Sequence, residues 1–477
     1  MWLWLFISLI AGLGLARKNI SLDGFSILIL LPFLVLSLRQ RALLCLVLVI
    51  TSGLAGGLWR GHIYMHKIGE YEPIYYKKIT VSARAMEDGT YGKTKQLTFT
   101  ASNIILENGS RLVGKIQLSG FGVNAVFQDD EIIATGKLYP TRGAAQARMS
   151  FAVLQVTSHH PSAITQIKRR FVAGMQSALP EPLAPFAMGL LVGQRANLPD
   201  DIKQNLQMVG LTHIIAVSGY NLTIIVQAGR RLLGKKSKRI STFLILSLIC
   251  IFLLLAGFSA PIVRAAIVSS LSMAAAYYGR SFKPLNLICL AAAVTAFANP
   301  IYLWSDLSWY LSFLGFFGVM ILAPLVHARW GRRWADSLVG GVALESLCAE
   351  AMTLPFILYI FGQMSRVGLI ANVLVVTLVP LAMLLGLVSS LVGMFAASLA
   401  GWLAWPCVLL LNYMLDTARL LAGLPNIFVE GIGLTLTQML FLYGCVVIII
   451  SILWYKNPQK SAIITDMNEP RTRGLLA

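Results

Sequence analysis

The sequence predicts a polytopic α-helical membrane protein of about eleven to twelve spans, carrying a small extracytoplasmic OB-like β-barrel domain. Of 477 residues, 57% are hydrophobic and 12% charged, and the mean hydropathy is +0.73. Soluble domains carry about 25% charged residues, so a soluble enzyme is excluded at the outset. Apolar runs of membrane length recur along almost the whole chain. One stretch, residues 61–161, breaks that pattern with alternating polar and apolar segments separated by turn residues, which predicts the β domain.

Residues 1–60 read as N-terminal membrane helices at Met1–Ala16, Phe25–Leu38 and Leu43–Trp59. The first has no basic residue ahead of it and no A-x-A-like end, so it reads as an anchor and not as a cleaved signal. In 61–161, strands are expected at Ile79–Met86, Gln96–Leu106, Arg111–Gly120, Glu131–Pro140 and Phe151–His159. Turns at Asp88-Gly89, Asn108-Gly109 and Asp129-Asp130 separate several of them. That count fits a small barrel of the OB type, a fold that binds single-stranded nucleic acid or sugars. From Tyr71 to His160, ten Lys/Arg stand against seven Asp/Glu, a weak basic bias. Tyr75, Tyr76, Tyr91, Phe99, Phe121 and Tyr139 are interleaved, as base-stacking platforms or as barrel filler. Residues 162–180 set Lys168, Arg169 and Arg170 against Ile164, Ile167, Phe171 and Met175 and end at Pro180, a basic amphipathic helix expected on the membrane surface.

Residues 181–455 are expected to stay in the membrane, with spans at Gly210–Ala228, Ile240–Gly257, Ile262–Tyr278, Leu285–Ala298, Trp309–Val326, Leu338–Phe361, Gly368–Met394, Gly401–Ala422 and Leu434–Trp454. Basic turns at Arg230–Arg239, at Arg280 and Lys283, at Arg329–Arg333 and at Lys456–Lys460 fall on one side, which the positive-inside rule makes the cytoplasm. The β domain is then outside and residues 456–477 form a cytoplasmic tail. Arg17 and Lys18 break the rule mildly. The net charge of +19 has two sources, positive-inside topology and a polyanionic substrate.

The stretch from Gly189 to Val226 holds the main functional signal. A polar interruption, Gln194 to Gln207, divides two apolar pieces. Non-helical backbone at membrane depth is tolerated only where protein buries it or where it lines a wet cavity, so the break points to a translocation site. Arg264, in AGFSAPIVRAAIVSS, is a membrane-embedded cation and reads either as a pathway residue or as half of an ion pair with Asp306, Glu345 or Glu350. Asp306 sits near a helix end and reads equally as a cap. His213 and Ser218 suggest a nucleophile, but five residues apart on one helix they are poorly placed to bond each other. The six cysteines all lie in apolar runs without a C-x-x-C pair, so neither zinc nor a disulfide framework is indicated. No H-E-x-x-H, H-x-H-x-D-H or Walker motif occurs, so neither a metal-dependent hydrolase nor a nucleotide hydrolase is read here, and no cofactor is implied.

Four ordered blocks resemble the competence domain of the ComEC family of DNA-uptake proteins. GLLVGQRANLP…GLTHIIAVSG is similar to that family's GLLLGDR…LP…GLSHLLAVSGLH, and LAGFSAPIVRAAIVSS…GR…PLN to its TGFSPSVVRAAIM…GR…PLN. LWSDLSWYLSFLGFFGVMILAP resembles DVGFQLSFLATLGL…P, and LPFILYIFGQMSRVGLIANVLVVTLVPL resembles a later segment. By position, His213, Ser218 and Gly219 fall in the first block, and Ser259, Pro261, Arg264, Gly279 and Arg280 in the second. Asp306, Ser312, Phe361 and Asn372 fall in the later ones. The family's aspartate before Arg195 is Gln194 here, its histidine after Ser-Gly is Asn221, and its glutamine before Leu-Ser-Phe is Tyr310.

The resemblance implies a non-enzymatic channel in the cytoplasmic membrane, carrying single-stranded DNA inward through the lipid bilayer during transformation. Candidate pathway residues are Gln194, Arg195, His213, Ser218, Gly219, Asn221, Arg264 and Asp306. It further implies a membrane DNA receptor and a cytoplasmic helicase-like ATPase as partners. Many members continue into a metallo-β-lactamase-like domain that is not found after the last helix here, so a separate nuclease is expected. A transporter of a smaller anionic or lipid-linked solute on the same core is the alternative, and a membrane enzyme using Ser218 or the intramembrane carboxylates is a third reading.

Overall fold

The computed structural model describes residues 2–18, 41–91, 96–141, 143, 145–159, 162–194, 198–215, 219–233, 237–257, 260–279, 284–330 and 337–455. The helices are α1 (Trp2–Ala16), α2 (Arg41–Gly69), α3 (Ala163–Ala178), α4 (Leu183–Val192), α5 (Asp200–Met208), α6 (Gly219–Leu233), α7 (Lys238–Ala256), α8 (Ala260–Tyr277) and α9 (Pro284–Ala298). They continue with α10 (Ile301–Ser305), α11 (Leu307–Phe317), α12 (Ala323–Trp330), α13 (Leu338–Phe361), α14 (Gly368–Val375), α15 (Val379–Phe395), α16 (Ala397–Leu403), α17 (Trp405–Ala422) and α18 (Leu436–Tyr455). The chain divides into two compact units, one of Met1–Ile167 with Cys289–Trp309, the other of Lys168–Ile288 with Tyr310–Ala477.

In the first unit α1 and α2 form a close hairpin. A methyl on Gly12 would lie 3.0 Å from Leu58 N, and one on Gly57 2.8 Å from Leu13 N, so only hydrogen fits at the crossing. The expected Phe25–Leu38 span lies outside the described residues. The hairpin is tied to the ends of α9 and α10 by side chains that take up orphan helix carbonyls. Arg60 donates to Phe297 O and Ala298 O, each at 3.0 Å, Arg17 donates to Trp304 O, and the Trp304 indole donates to Leu13 O at 2.9 Å. Arg17, one of the two basic residues that run against the expected topology, is thus a helix cap. Arg60→Ala is expected to lower the stability of this unit by about 1–3 kcal/mol, since two charge-assisted bonds go together; thermal unfolding of detergent-solubilised protein reads it.

α2 runs to Gly69, well past the expected end at Trp59, because its last turns face the sheet instead of lipid. Gln146 Nε2 donates to Tyr64 Oη at 2.7 Å, and Tyr71 Oη donates to Val113 O at 3.0 Å. Seven strands follow: β1 (Lys78–Ala85), β2 (Thr90–Tyr91), β3 (Leu97–Leu106), β4 (Arg111–Leu112), β5 (Ile116–Phe121), β6 (Glu131–Pro140) and β7 (Ala147–Ser158). The expected single strand Arg111–Gly120 is two, broken where Gly114 takes φ +108°. β7 starts earlier than expected. β1 pairs antiparallel with both β6 and β3, β3 with β5, and β6 with β7, whereas β5 and β7 run parallel. The inward positions, among them Leu97, Phe99, Leu118, Ile132, Leu138, Met149 and Leu154, form one buried core.

Asp129 fastens the start of α3. Burial by itself would raise its carboxyl, but hydrogen bonds from Thr165 and Ser162, with Arg84 at 3.4 Å, hold it below the ordinary 3.8. A carboxyl depressed on folding stabilises fully above its unfolded pKa, and that contribution fades as pH falls through the lower folded value. Amides 162–166 are therefore expected to lose exchange protection only below about pH 4, and Asp129→Asn should make the weaker protection independent of pH; hydrogen exchange corrected for intrinsic rates checks both.

The second unit is helical. Its largest core runs through α4, α5, α14, α15 and α17. In the whole chain six described segments are long and apolar enough to cross a membrane: Leu43–Ile74, Lys238–Ala256, Leu307–Arg329, Val339–Phe361, Gly368–Phe395 and Leu436–Tyr455. α16 and α17, which meet at a 54° bend, are long and apolar enough when taken together as one broken span. The expected count of eleven to twelve is higher because it treated shorter apolar helices, such as Trp2–Ala16, Pro261–Ala275 and Pro284–Ala298, as full spans. At 1.5 Å per residue, such helices fall short of a hydrocarbon layer about 30 Å thick. The basic helix α3 also differs from expectation. Its Phe171, Gly174 and Met175 do not face lipid but are buried, with Ser390 Oγ of α15 donating to Phe171 O at 2.7 Å.

Candidate functional site

All ten residues of α4 are buried, and the helix ends where Gly193 adopts φ +76°. Gln194 follows, and Arg195 lies outside the described residues. The polar interruption is only partly irregular, since α5 occupies its second half with Ile202 and Leu206 buried. α5 ends in a Schellman-type turn: Gly210 at φ +80°, Gly210 N bonded to Gln207 O, and Leu211 N bonded to Leu206 O. His213 Nδ1 donates to Gly210 O at 3.1 Å, so the imidazole is used by the turn. The expected span from Gly210 is therefore non-helical up to residue 215, and α6 begins at Gly219. Ser218 lies outside the described residues.

The two apolar pieces come together. Asn221, in the first turn of α6 and 2% exposed, donates from Nδ2 to Leu190 O at 2.8 Å, capping a carbonyl in the last turn of α4. A methyl on Gly189 would sit 3.4 Å from Ile215 Cβ. Gln194, His213, Gly219 and Asn221 thus belong to one broken-helix junction.

Sequence reasoning missed a second wall of this junction. A two-stranded sheet, β8 (Gln363–Ser365) with β9 (Phe428–Glu430), is set between membrane helices. Gln207 Nε2 donates to Gln363 Oε1 at 3.5 Å. A methyl on Gly210 would lie 3.3 Å from Ser365 Cβ, and one on Gly368 3.6 Å from Glu350 Oε1. Glu350 is therefore set against the α5–α6 break. The polar run Gln363–Arg366 between two apolar segments was the available signal.

Arg264 sits in α8, 3% exposed, with its guanidinium 5.1 Å from the centre of the Phe313 ring. α6 packs along α8 through Leu222, Val226, Ile262 and Ala265, so Arg264 and Asn221 stand on neighbouring helices. Asp306 belongs to the other unit. Its Oδ1 accepts from Ser308 N at 2.9 Å and its carbonyl from Trp309 N at 3.0 Å, which is the cap geometry. It also lies near Lys115, whose ammonium burial pushes below the ordinary value while Glu87 and Asp306 oppose the shift. Among the described residues no group of three His, Cys, Asp or Glu is gathered as a metal ion would need.

No solved structure matches the chain. It is 23% identical over 307 residues to ComE operon protein 3 of Bacillus subtilis (strain 168), covering 63% of this chain and 38% of that protein. It therefore spans well under half the length of this relative. The model of the family described as Competence protein matches residues 190–457, which starts at the carbonyl that Asn221 caps and takes in both walls of the junction and Arg264. This chain belongs to the Competence protein family, and it is a multi-pass membrane protein of that family.

Proposed function

We propose that the protein is a channel that passes a single strand of DNA across the cytoplasmic membrane during transformation. The observation that carries this reading is the broken-helix junction between Leu190 and Asn221. Interrupted helices in a buried apolar core are how membrane proteins set polar backbone at midplane depth beside a substrate path. Arg264 on the adjoining helix supplies positive potential for a polyanion. Passage needs many weak contacts and no deep trap, and Arg264 is read as one such contact.

The sheet is read as an OB-type barrel on the outer side of the membrane. Its support is the strand order, which leads from β1 through β6, β7, β5 and β3 back to β1, with β5 and β7 parallel. The chain's own residues bind and conduct without covalent chemistry; a receptor outside and a cytoplasmic ATPase complete the process. The first test is transformation of the host with marked DNA, with the gene deleted and then restored. Recombinants lost and rescued, with DNA still held at the surface, support the channel. Unchanged transformation in a competent host overturns it and favours a smaller anionic or lipid-linked solute. Arg264→Gln is expected to lower uptake about tenfold without abolishing it, as one contact among many is lost.

A further inference from the structure

The sheet carries a charge arrangement that its own fold does not explain. Lys78 of β1 and Lys137 of β6 stand directly opposite in register, both exposed and both on the face turned away from the core. Like charges in such a pair destabilise a sheet. In the next rank Tyr139 stands opposite Arg148 of β7, which is also exposed. Among the described residues none of these three cations forms an ion pair. The acidic residue of β6, Glu131, is at the strand's other end, opposite Arg84.

Aromatic rings stand among these cations. The Lys137 ammonium lies 5.7 Å from the centre of the Tyr139 ring, and Tyr76 meets Tyr139 edge-on at 5.9 Å. Tyr76 is 61% exposed at φ +63°. Phe151, 72% exposed at φ +56°, is the extra residue of a β-bulge in β7: Lys137 faces Ser150 while Thr135 faces Val153. A bulky residue in the left-handed region is costly, and bulges re-aim side chains. Here the cost is spent on holding rings in solvent. By contrast, β3 and β5, the second and third long strands, turn hydroxyls outward, with Thr98 bonded to Ser119 at 2.7 Å. In OB folds that second-and-third-strand face usually takes the ligand.

We propose that the outer face of β1, β6 and β7 is a docking surface for single-stranded nucleic acid, with Tyr76, Tyr139 and Phe151 stacking bases and Lys78, Lys137 and Arg148 meeting phosphates. The inference rests on the channel reading for the identity of the ligand, but not on the path through the membrane. Rings interleaved with cations suit an unpaired strand, whose bases are free to stack. An anionic bilayer is the competing partner, since exposed rings and lysines also suit a headgroup layer.

The test uses the full chain in phosphatidylcholine nanodiscs and a fluorescein-labelled oligothymidylate, read by anisotropy over a range of salt. The wild type is expected to bind with a log–log salt slope near −2, as about 0.7 per phosphate contact gives for three cations. Tyr139→Ala and Phe151→Asn, the latter keeping a residue that tolerates positive φ, should each weaken binding about 5- to 150-fold. Lys78→Gln should flatten the slope by about 0.7 while raising the melting temperature, because it removes the like-charge pair. Thr100→Ala on the hydroxyl face should change nothing. Absence of binding, binding insensitive to these changes, or loss of phosphatidylglycerol-vesicle association in their place would each overturn the inference. Oligonucleotide binding that ignores the substitutions leaves the channel reading intact, while unchanged transformation on gene deletion removes the channel reading whatever the face does.

Discussion

Asn221→Leu is expected to abolish DNA uptake and to destabilise the helical unit by about 1–3 kcal/mol, while the sheet unit stays folded. The leucine fills similar space but carries no donor, so Leu190 O, in the last turn of an entirely buried helix, is left without its 2.8 Å bond. An unsatisfied carbonyl in an apolar core costs its full desolvation. The larger consequence is functional. The amide ties the end of α4 to the start of α6, and between these points the chain is broken twice. Without that tie the two ends of the break part, and any path they line loses its shape. Asn221→Asp keeps the size but presents an acceptor to an acceptor and should be as harmful. Uptake of labelled DNA, with detergent thermal melts beside it, separates the two effects. Full uptake in the leucine variant would show that the junction is not the path.

Gly393→Val is expected to destabilise the helical unit strongly and to lower the recovery of folded protein. α3 crosses α15 so closely that a methyl on Gly393 would lie 2.7 Å from Ser177 Oγ and 2.8 Å from the carbonyl carbon of Gly174. A methyl on Gly174 would in turn lie 2.5 Å from Ser390 O. The obstruction is mainly backbone, which cannot rotate away, so the helices must separate. Overpacking of this kind costs about 1–3 kcal/mol or more. Separation also breaks the Ser390–Phe171 hydrogen bond, worth about 0.5–1.5 kcal/mol. Gly401→Ala in α16, where a methyl meets nothing within 4 Å, is the control and should be neutral or mildly stabilising. Recovery of monodisperse protein from membranes distinguishes them.

What was legible in the sequence follows from which signals are local. Glu131–Pro140 was placed to the residue because alternation and flanking turns both lie within the segment. Leu338–Phe361 was equally clear, and Pro355 inside it did not stop the helix. The shortfalls have physical causes. Hydropathy does not report helix length against bilayer thickness when Gly or Pro divides an apolar run, so several short helices read as spans. The π-helical segment Gly318–Leu322 is invisible for the same reason, since its register depends on α13: a methyl on Gly318 would lie 2.8 Å from Ala349 Cα. Of the site, Asn221, Arg264 and the interruption were legible as polar groups in apolar surroundings. Glu350 with Gly368, and the β8–β9 pair, join positions far apart in the chain; the polar run Gln363–Arg366 marks the place of β8, but nothing local announces its partner strand or the approach of Glu350. Asp306 was legible both as acid and as cap, and the structure shows its backbone and carboxylate in cap geometry.

The division of the chain has a consequence for its synthesis. The first unit needs Cys289–Trp309, and Arg60 and Arg17 have no helix ends to cap until α9 and α10 exist. Roughly 120 residues of the other unit must leave the ribosome first, which at 5–20 residues per second takes about 6–24 s. For that interval the N-terminal hairpin is a partly assembled body with two arginines beside exposed apolar helix faces, the stage at which an insertion chaperone has most to do. A nascent chain arrested before residue 289 should therefore be sensitive to protease at the hairpin, and one arrested well after residue 309 should not.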